Sequence, residues 1–307
     1  MQIKTFFTRT PLINIFVFGL GFLLLIAHIF KKQKNHVEAF TQEEKFVIKY
    51  NNDLYDKFYV DVYEYVMNDA LKISYELGMI ERKTKINKLS NVLDVGSGLG
   101  YHVDSLHSRD IKAIGLETSK AMIAKSKDKF DDIDIKYGNA MDSMIFEGDE
   151  FTHILCLFYT FYYMPDQEAF LRNCNKWLRH NGHLVIHIVD RDKFHPIVPP
   201  SEVFALPLQT FAKKDKRITE SIVKFDGFDY KSRFTENFKE GNKAKFLEEF
   251  TDTNNGNVRK NIHTLNIKSL EETEKLFKHC GFKINSKEHL SHVRYHHQYL
   301  YFLQKEH

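Results

Sequence analysis

Val92-Leu93-Asp94-Val95-Gly96-Ser97-Gly98-Leu99-Gly100-Tyr101-His102 is a short apolar run that ends in an acid and three alternating glycines. The run predicts a buried strand, and the glycines predict a tight turn into a helix whose backbone can approach a ligand closely. Two features decide what kind of ligand. In the dinucleotide fingerprint G-x-G-x-x-G the third glycine would fall on Tyr101, but here it stands one place earlier, at Gly100. Asp94, two residues before the first glycine, would repel a pyrophosphate and suits a cofactor with a positively charged end.

Working outward, Lys112 to Glu117 reads as a second strand ending in an acid, at the distance from the glycine turn where a carboxylate reaches ribose hydroxyls. Thr118 then lies near the base, and Ser119 is placed to cap the next helix. A strand at Ile133 to Tyr137 leads into Gly138-Asn139-Ala140-Met141-Asp142. Phe151 to Phe158 reads as a strand buried on both faces, as in parallel sheets. It is followed by the aromatic loop Tyr159-Thr160-Phe161-Tyr162-Tyr163-Met164-Pro165-Asp166. A helix from Gln167 to Arg179, capped by Asp166, turns at Asn181-Gly182 into the strand His183 to Asp190.

These segments together, from Leu89 to Asp190, resemble class I S-adenosylmethionine-dependent methyltransferases. The glycine turn is similar to the family's first motif, hhD-h-G-x-G-x-G, and Trp177-Leu178-Arg179-His180-Asn181-Gly182-His183 is similar to its W-L-x-P-G-G turn, with the proline and one glycine replaced. The resemblance implies a doubly wound Rossmann-like α/β sheet with a terminal β-hairpin, and S-adenosyl-L-methionine as cofactor. It implies cofactor binding by Asp94, Gly96, Ser97, Gly98, Gly100, Glu117, Thr118, Asn139 and Ala140. Asn139 stands where the family has an aspartate that takes the adenine amino group, with Asp142 as an alternative acceptor. His153 stands where the family commonly has an acid. An N-P-P-[YF] sequence is absent after the fourth strand, where Leu157-Phe158-Tyr159-Thr160 stands.

The remaining chain divides around this core of 89–190. Residues 1–10 form a tail, and 11–30 form a nearly unbroken apolar segment. About 20 helical residues at ~1.5 Å each cross a ~30 Å hydrocarbon core, so 11–30 is expected to be a retained transmembrane helix. Residues 31–88 are expected to be a juxtamembrane helical segment, with Val47, Tyr50, Leu54, Phe58, Val62 and Val66 at helical intervals. Tyr55 or Tyr59 in this segment is placed to close over the cofactor, as the amino-terminal helix does in enzymes the chain resembles. Residues 191–261 break the strand–helix alternation and read as an inserted lid with antiparallel strands at Ser221–Phe234 and Lys243–Thr251. Residues 262–307 are expected to complete the sheet with a helix, opened by the capping box at Ser269, and a hairpin.

Of 307 residues, 44 are basic and 41 acidic, a net charge of +3 that gives no field suited to gripping a nucleic-acid backbone. Cys156, Cys174 and Cys280 are too scattered for a zinc site or disulfide frame and read as reduced thiols. No nearby acid or cysteine completes a ligand set with His289, His292, His296 and His297, so no metal site is assigned. The expected protein is a single-pass membrane protein with a cytosolic catalytic domain, methylating a small-molecule or lipid acceptor. Tyr159, Tyr162, His187, Asp190 and His195, at or beyond the ends of the fourth and fifth strands, are the candidates to position or deprotonate that acceptor. A non-catalytic, cofactor-binding membrane scaffold is the alternative, and a nicotinamide oxidoreductase is disfavoured by Asp94 and Tyr101.

Overall fold

The computed structural model describes residues 44–67, 70–197, 217–225, 227–238 and 241–306. In chain order the strands are β1 (Phe46–Tyr50), β2 (Asn91–Val95), β3 (Lys112–Glu117), β4 (Ile135–Tyr137), β5 (Phe151–Cys156), β6 (Leu178–Val189), β7 (Glu220–Lys224), β8 (Phe228–Glu236), β9 (Lys243–Asp252), β10 (Val258–Asn266), β11 (Phe282–His289) and β12 (Gln298–Lys305). They form a seven-stranded sheet of order β11-β12-β6-β5-β2-β3-β4 and a five-stranded sheet of order β1-β10-β9-β8-β7.

In the larger sheet β4, β3, β2, β5 and β6 are parallel, and β12 inserts antiparallel between β6 and β11. The apolar runs in β2 and β5 are buried along nearly their whole length because helices cover both faces of a parallel sheet. Helix starts are fixed by side chains. Ser119 accepts from the Met122 amide at 3.1 Å, Asp166 from Ala169 at 3.0 Å, and Ser269 pairs with Glu272 in a full capping box. Strand order reverses between β2 and β5, which opens the crevice at their carboxyl ends.

The smaller sheet is antiparallel through β7, β8, β9 and β10, and its far edge is closed by β1, which runs parallel to β10. Two expectations are corrected here. Residues 46–50, expected to be helical, form a strand: the unpaired edge of β10 supplies ladder partners that outweigh the local helical spacing. The helical reading holds only further on, at Lys57–Met67 and Ala70–Thr84. The lid strands also continue past residue 261, since β10 runs unbroken to Asn266.

The apolar segment 11–30 lies outside the described residues. Among the described residues no helix is long and apolar enough to cross a membrane. The longest, Ala70–Thr84, has 15 residues and so spans only ~22 Å at ~1.5 Å per residue. It also carries Lys72, Glu76, Glu81, Arg82 and Lys83. The expectation of a single-pass membrane protein is corrected on this finding.

Candidate active site

A cavity of about 410 Å³ lies at the carboxyl ends of β2, β3 and β5 and extends to the inner face of the five-stranded sheet. Its first half is built by the glycine turn. Gly98 has φ +55°, and a Cβ placed on it would meet no atom within 4 Å, so its open side faces the cavity. Gly100, at φ +81°, is confined by the protein itself: a Cβ there would come within 2.3 Å of Ile133. The third expected glycine position is thus a helix-packing requirement, whereas Gly98 is the place where backbone can approach a ligand.

Glu117 holds this turn in place. Its Oε2 accepts from the Gly98 amide at 2.9 Å, and its Oε1 accepts from the Thr118 and Ser119 amides at 2.8 Å each. Burial pushes the Glu117 carboxyl upward, and these three amides work against the shift. Asp94 is also buried, and burial raises it to about 6 despite the opposing influence of His102. A ligand bringing positive charge to Asp94 would offset that burial cost.

Behind Asp94 lies a polar chain that the sequence did not reveal. Lys72 and Glu76 are both fully buried and pair at 2.5 Å, and the other Glu76 oxygen lies 3.2 Å from His102 Nε2. The Lys72 ammonium also stands 3.9 Å over the Phe158 ring. Burial would raise the Glu76 carboxyl, but the Lys72 charge together with the hydrogen bond and charge of His102 outweighs it, and the carboxyl falls to about 2.

Among the expected cofactor residues, Asp94, Gly96, Ser97, Gly98, Glu117, Thr118, Asn139 and Ala140 line the cavity, and Gly100 does not. The Asn139 side-chain oxygen already accepts from the Met141 amide at 3.0 Å, closing its own turn. Tyr55 and Tyr59 both line the cavity, and the Ser119 hydroxyl donates to the Tyr55 carbonyl at 2.6 Å, tying that segment to the cofactor side.

The expected acceptor residues divide differently. Tyr159 lines the cavity, but Tyr162, His187, Asp190 and His195 are not among the residues that line it. The Tyr162 hydroxyl accepts from the Val189 amide at 2.7 Å and fixes the end of β6. His187 is fully buried against Tyr159, with ring centroids 5.8 Å apart; burial and the Lys72 charge push it down to about 3, which holds it neutral. The Asp190 carbonyl accepts from the Lys193 and Phe194 amides, and its carboxylate lies 3.5 Å from Lys193. His195 Nδ1 accepts from the Ile218 amide at 3.0 Å, anchoring the start of the lid. The structure thus brings only Tyr159 of the five expected acceptor residues to the cavity lining, and the other four lie outside it in the contacts just described.

In their place the far half of the cavity brings together Tyr163 from the aromatic loop, Tyr230 from β8 and His263 from β10. His263 Nδ1 lies 2.5 Å from the Tyr163 hydroxyl, and His263 Nε2 lies 2.7 Å from Glu248 of β9. Apolar lid side chains Val223, Phe234, Phe246 and Leu265 line the same half. Among the described residues no group of three His, Cys, Asp or Glu side chains could hold a metal ion. The three cysteines are free and buried.

A family model described as a methyltransferase domain matches residues 93–186. A chain from Mycolicibacterium smegmatis named "Probable S-adenosylmethionine-dependent methyltransferase" is 26% identical over 106 residues, which cover 34% of this chain and 40% of that one. The matched stretch thus spans well under half of that relative. Among solved structures, the S-adenosylmethionine-bound amino pentose methyltransferase of calicheamicin biosynthesis from Micromonospora echinaspora superposes with a TM-score of 0.57 at 17% identity, covering 82% of this chain and 98% of its own. An S-adenosylmethionine-dependent methyltransferase from Clostridium acetobutylicum gives 0.62 at 13% identity, covering 81% and 98%. A sugar N-methyltransferase from Streptoalloteichus gives 0.55 at 20% identity, covering 78% and 89%. The fold is that of class I methyltransferases, and residues 93–186 form a methyltransferase domain whose cofactor is S-adenosylmethionine.

Proposed function

We propose that the whole protein transfers a methyl group from S-adenosylmethionine to a small molecule held between the catalytic sheet and the lid sheet. The observation that carries this reading is the single cavity running from Asp94 and the open side of Gly98 to the aromatic face of the lid. Asp94 offers a buried carboxylate to the positive end of the cofactor. Glu117 is placed for the ribose hydroxyls, and Thr118, Asn139 and Ala140 for the base.

Bound there, the cofactor supplies an electrophilic methyl group on a sulfonium. The chain's own contribution is placement and exclusion of water. Tyr55 and Tyr59 come over the cofactor half from the amino-terminal side, and Phe234, Phe246 and Leu265 close the acceptor half from the lid. Holding two reactants in line at about 3 Å is worth several kcal/mol of barrier without any dedicated acid or base. The aromatic and apolar lining suits a compact acceptor with an apolar body and one polar reacting group.

Calorimetric titration of the chain with S-adenosylmethionine, S-adenosylhomocysteine and NAD in parallel tests the reading. Binding of the first two alone, weakened in Glu117→Ala, is expected. Binding of NAD alone, or of none of the three by folded protein, would overturn it.

A further inference from the structure

The lid sheet carries buried polar groups that holding an apolar acceptor does not require. Glu248 is 1% exposed and His263 2%, although both lie on strands whose other face is available to water. The Glu248 carboxylate is surrounded by donors: His263 Nε2 at 2.7 Å, the Tyr230 hydroxyl at 2.9 Å, Asn261 Nδ2 at 3.4 Å and the Tyr59 hydroxyl. Burial alone would raise this carboxyl, but the charge His263 carries when protonated, together with the hydrogen bonds from His263 and the two phenols, outweighs it and lowers Glu248. The neighbouring buried cation, Arg259, is engaged elsewhere: it donates to Asp56 at 2.9 Å, to the Leu54 carbonyl and to Asn261 Oδ1. A proton arriving on His263 would therefore meet an ionised carboxylate 2.7 Å away.

The hydrogen bonds also have a direction. With its Nε2 proton committed to Glu248, His263 presents the lone pair of Nδ1 to the Tyr163 hydroxyl, which donates to it at 2.5 Å. The Tyr163 oxygen in turn accepts from the Tyr55 hydroxyl. Both tyrosines line the cavity, and Tyr55 belongs to the segment tied to the cofactor side through Ser119. Burial raises the Tyr163 phenol well above its ordinary range, so it stays neutral and acts by passing a proton on. A donor–acceptor chain thus runs from the middle of the cavity to a buried carboxylate, with an imidazole as the group able to hold the extra proton.

From this arrangement we infer that Tyr163 and His263, backed by Glu248, form a proton relay that takes the proton lost by the acceptor, and that the acceptor is a small alcohol, phenol or amine methylated on oxygen or nitrogen. The inference rests on the methyl-transfer reading above and adds to it the proton acceptor and the substrate class. The sulfur–methyl bond breaks with its electron pair going to sulfur, and a lone pair on the acceptor oxygen or nitrogen forms the new bond to carbon. The acceptor's proton goes to the Tyr163 oxygen as the Tyr163 proton moves to His263 Nδ1. S-adenosylhomocysteine, the methylated acceptor and a His263 imidazolium paired with Glu248 are left, and the proton returns to water when the cavity opens. Tyr163 touches the acceptor and is catalytic in this scheme, whereas Glu248 acts through His263 and is a positioning residue.

The test uses the full chain and its Tyr163→Phe, His263→Gln and Glu248→Gln variants. Calorimetry with S-adenosylhomocysteine should give affinities within about threefold of one another, because the substitutions lie in the acceptor half. Failure of the folded wild type to bind it would sink the cofactor reading rather than the relay. Each protein is next given S-adenosylmethionine with a panel of small phenols, alcohols and primary amines, and S-adenosylhomocysteine formation is followed against pH. The wild type should turn over at least one class, with kcat falling at low pH as the imidazole protonates. Tyr163→Phe and His263→Gln should lower kcat by ~10²–10⁴-fold, more than they change KM, and abolish that limb. Glu248→Gln should move the limb to lower pH, a shift that a purely structural role would not produce. Variant rates within twofold of wild type, an unmoved limb in Glu248→Gln, or turnover of none of the three classes would overturn the relay. Histidine nitrogen NMR reads the same device without an acceptor: His263 should carry its proton on Nε2, and a proton found on Nδ1 would also overturn it.

Discussion

The two halves of the cavity are built in opposite ways. The cofactor half takes its main groups from one short stretch, Asp94 to Glu117, in which a strand, a turn and a second strand deliver an acid, an open glycine and another acid to one place. The acceptor half joins Tyr163 to His263, 100 residues away in sequence, and His263 to Glu248 on the neighbouring strand. The first half is held by backbone amides on Glu117 and the second by side chains on one another. A site made from contiguous backbone geometry leaves a pattern in the sequence. One assembled across two sheets leaves only scattered residues.

Four measurements sharpen or break this contrast. The largest effect is expected beside the cofactor half. Glu76→Gln leaves the fully buried Lys72 ammonium without its carboxylate and should cost about 3–5 kcal/mol in denaturant unfolding. A cost below about 1 kcal/mol would show that the pair is not what holds Lys72 inside. Because the folded Glu76 carboxyl is lowered from 4.5 to about 2, its contribution is fully present above about pH 4.5 and is lost as pH falls toward 2.

Glu117→Ala comes next. Cofactor affinity should fall by about 1.5–3 kcal/mol, the range for hydrogen bonds to a charged group, and unchanged affinity in a folded variant would remove Glu117 from the site. Asp94 predicts a pH effect of smaller size. Its folded carboxyl is raised from 3.8 to about 6, so its contribution to the stability of the empty protein is fully present below about 3.8 and is lost as pH rises through 6. A ligand ammonium set against Asp94 recovers that cost, so S-adenosylhomocysteine affinity should fall by up to about tenfold per pH unit below 6. The same titration on Asp94→Asn should be flat, and a slope that persists would assign the effect to another group.

The smallest effect separates two adjacent tyrosines. Tyr162→Phe removes the acceptor of the Val189 amide and should cost about 1 kcal/mol of stability with the pH profile of turnover retained. Loss of the low-pH limb in this variant would put Tyr162 back in the acceptor chemistry and remove the contrast with Tyr163.

The legible part of the molecule follows from this contrast. Asp94, the glycines and Glu117 could be read because a strand that ends in a tight turn must declare itself locally, in apolar residues followed by glycine. Even there Gly100 was assigned to the cofactor, while the structure uses it to pack against Ile133. His187, Asp190 and His195 were suggested by their place at or beyond the end of a strand, but proximity in sequence did not bring them to the cavity lining. His263 and Glu248 gave almost no signal. Along β10, Arg259, Asn261, His263 and Leu265 alternate with Val258, Lys260, Ile262 and Thr264, so neither face reads as clearly apolar, yet the first set is the buried one. The strand at 46–50 was missed for a related reason, since its ladder partner β10 lies more than 200 residues away in sequence.

The sequence by itself determined the doubly wound sheet and the cofactor turn, because both depend on local hydrophobic runs and on backbone freedom that side-chain chemistry spells out residue by residue. Only the tertiary structure decided which side chains line the far half of the cavity. Burying Glu248 beside His263 and turning Tyr163 toward them depends on how two sheets face each other, and no interaction within either strand encodes it.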